Sequence, residues 1–202
     1  MNTINIISLI SAILCFIIIL LIGMSTDILR EVKTLKVDSV TGEKIKNDKK
    51  APYSFSRFQL WLWTLIIGPT FVLNWGFVND MKPEVTVTML ILLGISASVS
   101  VSAAGITSVQ ENLNKNIPEK SNKIQLKKNR KSDGFWTDIL KDDNDQLSIV
   151  RLQQLIFTFT FVVIYISLFF YCHMENPEFD NSAYLLMGIS SGTYLIGKGV
   201  NK

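Results

Sequence analysis

The chain has 202 residues, 48% of them hydrophobic, a formal net charge of +3 and a mean hydropathy of +0.30. Its apolar residues lie in long blocks with the charges in the gaps, which excludes an ordinary soluble domain and marks a chain built for a bilayer. One histidine, His173, and two distant cysteines, Cys15 and Cys172, give no zinc, haem or disulfide framework, so no metal or cofactor is expected.

The first apolar run, Ile6 to Met24, is roughly 28 Å long as a helix, close to the thickness of a hydrocarbon core. Met1 to Asn5 carry no Lys or Arg, and the positive charges start after the run with Arg30. It therefore reads as an uncleaved anchor with its N-terminus outside, although Gly23-Met24-Ser25 would serve as a cleavage site. A polar, Lys-rich stretch follows from Thr26 to Tyr53. A second span is expected from Arg57 to Val78, with Trp61, Trp63 and Trp75 as interfacial anchors and Gly68-Pro69 as a kink. The third span runs from Val85 to about Val109 and a second polar stretch from Gln110 to Gln146. The fourth covers Arg151 to Tyr171 and the fifth Ala183 to Gly197.

Shifting the chain by 94 residues aligns two halves without a gap. Ser54, Arg57 and Gln59 fall on Ser148, Arg151 and Gln153, and Thr64 falls on Thr158. Pro83-Glu84 falls on Pro177-Glu178, and Leu92, Gly94, Ile95 and Ser96 fall on Leu186, Gly188, Ile189 and Ser190. A weaker echo links Thr26-Asp27-Ile28-Leu29-Arg30 to Thr137-Asp138-Ile139-Leu140-Lys141 at a different spacing. The expected fold is an all-α membrane protein of five transmembrane helices: an N-terminal anchor (1–25) and a parallel tandem repeat of a two-helix hairpin (26–109 and 110–202). The pattern of Ser-x-x-Arg-x-Gln, Pro-Glu and Gly-Ile-Ser, met twice, resembles a family of uncharacterised bacterial membrane proteins over about Thr26 to Lys198. That resemblance supports the architecture and implies no activity.

Ser54 and Ser148 read as N-caps, with Tyr53/Phe58 and Leu147/Leu152 as hydrophobic staples. Arg57 and Arg151 then sit near helix starts, where the macrodipole disfavours a cation. They are expected either to bind lipid phosphate, the favoured reading, or to pair with Asp27 and Asp138. Glu84 and Glu178 are expected in the first turns of their helices, with an outer acidic ring as the alternative. Gly94, Ser96, Ser98, Ser100 and Ser102 on the third span, and Gly188, Ser190 and Gly192 on the fifth, are candidates for a helix interface or a hydroxyl-lined pore. Packing is the favoured role. The basic run Lys127-Lys128-Asn129-Arg130-Lys131 suits anionic lipid better than nucleic acid.

No ionisable residue lies deep in a span, and no nucleophile-base pair or phosphate loop appears, so neither a proton-coupled carrier nor an enzyme is expected. The leading expectation is an oligomeric inner-membrane bundle acting as an ion-permeable channel or a membrane effector, for example of a bacterial defence system. The lipid bilayer and further copies of the chain are its expected partners. The alternatives are a scaffold that recruits a cytosolic protein partner through its basic loops, and a small facilitative carrier. Of the 20 Lys and Arg residues, Lys82 alone lies in a short hairpin loop. The positive-inside rule therefore puts the long polar stretches and the C-terminus in the cytoplasm. Reporters fused after Lys50 or Lys131 should read cytoplasmic and those at Lys82 or Asn176 external; the opposite pattern would refute the charge argument.

Overall fold

The computed structural model describes residues 3–31, 36–37, 44–45, 51–78, 82, 84–115, 132–142 and 146–200. Pro83 and the basic run 127–131 lie outside them. The helices are α1 (Thr3–Ser25), a 3-10 helix (Asp27–Leu29), α2 (Phe55–Phe77), α3 (Val87–Lys115), α4 (Phe135–Leu140), α5 (Ile149–Tyr171) and α6 (Asn181–Val200). The other regular structure among the described residues is an antiparallel pair of two-residue strands, β1 (Lys36–Val37) and β2 (Lys44–Ile45). Among the described residues, four helical stretches are long and apolar enough to cross a membrane: Thr3–Ser25, Phe55–Phe77, Val87–Ile106 and Ile149–Tyr171. The chain is thus an all-helical protein of membrane-spanning character. α6 is 20 residues long, but Gly, Ser, Thr and Tyr dilute its apolar content and it is not one of the four.

The hairpins α2–α3 and α5–α6 pack on each other through α2–α5 and α3–α6 contacts. Two apolar clusters result. One, toward the hairpin turns, holds Trp63, Ile67, Met89, Leu92, Phe161, Val162, Tyr165 and Met187. The other, at the end where α2 and α5 begin, holds Phe55, Phe58, Val99, Ala103, Ile139, Leu155 and Tyr194. Trp63 is 1% exposed and meets Tyr165 edge-on, so it is a core residue and not the interfacial anchor its place near a helix end suggested.

α1 packs along α2 through small residues. Ser8, Ala12 and Gly23 are its buried positions. The Ser8 hydroxyl donates to the Val72 carbonyl at 2.6 Å, and the Trp61 indole N–H donates to Ile19 O at 3.0 Å. Gly76 lies so close to Ser8, and Gly23 to Trp61, that a methyl group on either glycine would collide with its neighbour. The rest of α1 presents Ile and Leu outward, as a lipid-facing helix does.

The helix starts differ from expectation in two respects. Glu84 precedes α3, and Glu178 precedes α6, instead of sitting in their first turns; both side chains are exposed. Chain 175–180 is neither helix nor strand, and Phe179 is drawn into the bundle. Its N–H donates to the Thr88 hydroxyl at 3.0 Å, which meets the Tyr184 hydroxyl at 2.6 Å, and its ring packs on Phe161 and Tyr165. α6 begins only after Asp180, whose carbonyl accepts from Ala183 N. The Ser182 hydroxyl, donating to the Asp180 carboxylate at 2.5 Å, holds that carboxyl below its usual range. The second difference is at Ser54, which makes no side-chain cap bond and instead meets the Ser56 hydroxyl at 3.2 Å, whereas Ser148 does accept from Arg151 N.

Gly76→Ala should overpack the α1–α2 seam and destabilise the fold by about 1–3 kcal/mol. Gly188→Ala, at a glycine with open space around its Cβ, should leave the melting temperature in detergent unchanged or slightly raised. Equal effects at the two sites would refute the tight seam.

Candidate functional site: an arginine collar and a polar layer

Each long hairpin is entered through a short helix and a tight backbone crossing. The N–H of Ser54 donates to Leu29 O at 2.8 Å, and that of Ser148 donates to Leu140 O at 2.9 Å. One residue earlier in each case, Tyr53 forms an isolated antiparallel bridge with Arg30, and Leu147 forms one with Lys141. Three residues later come the arginines. Arg57 donates through Nη1 to Arg30 O at 2.9 Å and to Ile28 O at 3.3 Å, and Arg151 donates to Lys141 O. Each guanidinium therefore leaves the positive start of its own helix and lies on carbonyls at the negative end of the short helix before it. That answers the electrostatic objection to a cation near a helix start.

The carboxylates expected to hold the arginines take other partners. Asp27 pairs with Arg30 at 3.1 Å. Asp138, 1% exposed, accepts from the Ser132 hydroxyl at 2.6 Å, from Asp133 N at 3.0 Å and from Tyr53 N at 3.2 Å. The Tyr53 contact ties α4 to the entry of α2. Phe135 reinforces it by standing edge-on to both Tyr53 and Phe58. Arg151 is 7% exposed and has the Tyr194 ring 5.6 Å away, a burial that suits an internal strut and not a side chain reaching for lipid phosphate.

Between the two apolar clusters lies a layer of buried polar side chains contributed by all four hairpin helices. Gln154 donates through Nε2 to Gln59 Oε1 at 3.1 Å and to Ser191 Oγ at 3.4 Å. Gln59 donates to Thr158 Oγ1 at 3.2 Å, and that hydroxyl donates to Gln154 O at 2.8 Å. These groups, with Ser96 and Ser190, border a cavity of about 20 Å³. Gln154 Oε1 is buried without a hydrogen-bond partner.

The small-residue candidates divide into three sets. Ser96 and Ser190, matched by the 94-residue shift, both face the polar layer. Ser100 ties α3 to α2 by donating to Ser56 O at 2.9 Å. Gly94, Ser98 and Ser102 are exposed, as is Gly188, and a methyl group placed on Gly94, Gly188 or Gly192 would have no neighbour within 4 Å. At those three glycines no described part of the same chain makes a close approach. The 94-residue shift points away from Gln154, because it matches Gln59 to Gln153, which is exposed. The usable signal was the spacing Arg151, Gln154, Thr158, Phe161 and Tyr165, all on the buried face of α5.

No family model, no curated protein and no solved structure matches this chain.

Arg151→Met should cost about 1.5–3 kcal/mol, the worth of a hydrogen bond from a charged donor. Arg57→Met, at a more exposed site, should cost less. Thermal unfolding of the two variants in one detergent checks the order, and a larger loss at Arg57 would refute the strut assigned to Arg151.

Proposed function

We propose that the protein is a multi-pass component of the bacterial cytoplasmic membrane that works as a homo-oligomer. Its N-terminus is outside and its C-terminus in the cytoplasm. In this reading α6 is the fifth transmembrane helix, and α2–α3 and α5–α6, each with its preceding short helix, are two copies of one unit. The matched collar contacts at Ser54 and Ser148, and at Arg57 and Arg151, support the duplication.

The observation that carries oligomer formation is the exposed row Gly94, Ser98 and Ser102 on α3. Small residues on a membrane helix permit close backbone approach, and here no described helix of the same chain uses that approach at Gly94. Rings about the membrane normal keep every copy in one orientation. The activity proposed for the assembly is ion permeation or membrane perturbation. The cavity described between the hairpins, at about 20 Å³, is too small to be such a path. A conducting route would run between copies, along the exposed serines of α3.

Mass measurement in nanodiscs, paired with ion flux in liposomes, tests this. Ser98→Leu should weaken self-association by about tenfold, equivalent to ~1.4 kcal/mol, and lower flux with it. A monomer at all concentrations, with Ser98→Leu silent, would sink the oligomer. A stable oligomer in ion-tight liposomes would remove permeation and leave assembly standing.

A further inference from the structure

We infer that the cavity between the two hairpins is a binding site for one water molecule. It does not rest on the oligomeric reading. Its volume of about 20 Å³ exceeds the ~10–15 Å³ that one water requires, and its wall carries the hydroxyls of Ser96, Ser190 and Thr158. Gln154 is 2% exposed, and its Oε1 has no partner. In the same amide, Nε2 is already committed to Gln59 and Ser191.

Turning the amides over does not remove the need. Rotating Gln59 and Gln154 together lets Gln59 Nε2 donate to Gln154 Oε1, and Thr158 donates to Gln59 Oε1 only by giving up its bond to Gln154 O. The Nε2 of Gln154 then becomes the end without a partner. Either way one end of a buried amide is left over, and a guest that both donates and accepts satisfies either orientation. Water does both, and the wall hydroxyls supply its remaining bonds. No carboxylate lines the cavity, so the wall offers no counter-charge to a cation. Apolar clusters flank the layer on both sides.

The test is magnetisation transfer from water to side chains in solid-state NMR of the full chain in bilayers. Transfer to Ser96 and Ser190 is expected in the native protein. It should be lost in Gln154→Met, which keeps the length of the side chain but not the amide, and retained in Ser98→Ala on the exposed face of α3. Should Gln154→Met fail to fold, Ser190→Ala removes a wall hydroxyl and should weaken the transfer at Ser96. Absent transfer in the native protein, or transfer that no cavity variant alters, would overturn the proposal. So would a melting temperature that changes when sodium or potassium is replaced by choline, since the guest would then be a cation.

Discussion

A buried polar group in apolar surroundings must find its partner inside the protein, and two guanidinium groups meet that demand where each hairpin begins. The start of a helix leaves N–H groups unpaired and carries partial positive charge. A short helix ending nearby leaves carbonyls unpaired and carries the opposite charge. Arg57 and Arg151 each bridge one helix start to one such end, so the chain reversal before α2 and the one before α5 are fixed by the same chemistry. Depth in the bundle then follows. With the entry of each helix set, Gln59 and Gln154 arrive at one level, and the aromatic residues beyond them form the next layer.

The equivalence stops at the backbone. Leu29 and Leu140 accept the same kind of bond, yet Ile28 is exposed and Ile139 fully buried. Asp27 is largely solvated, whereas Asp138 is enclosed and binds the entry of α2. The difference lies in what surrounds each short helix. The 3-10 helix sits under α1, while α4 is held between α2 and α5. A matched motif thus fixes a matched chain path, and the neighbours decide which side chains are enclosed.

Much of this was legible in residue order. The first four apolar blocks locate the four membrane-length helices to within a few residues, because hydropathy responds to length and charge alone. Position on a helix was harder. Ser96, Ser98, Ser100 and Ser102 look alike in sequence, yet successive residues turn by about 100° on a helix, so one faces the polar layer, one bonds α2 and two point outward. Trp63 failed as an anchor for a related reason: its partner Tyr165 lies on another hairpin. The backbone partners of Arg57 and Arg151 were not legible either, since carbonyls leave no mark in side-chain patterns.

The interlock of Ser8 with Gly76 and of Trp61 with Gly23 also bears on biogenesis. Among the described elements α1 packs mainly on α2 and the adjoining 3-10 helix, so that surface has been synthesised once α2 is complete. The hairpins, in contrast, need Gln154 and the residues after it before their polar groups are paired. The first two long helices can therefore leave the translocon as a finished pair, while α3 waits with Ser96 unshielded until the second half of the chain arrives.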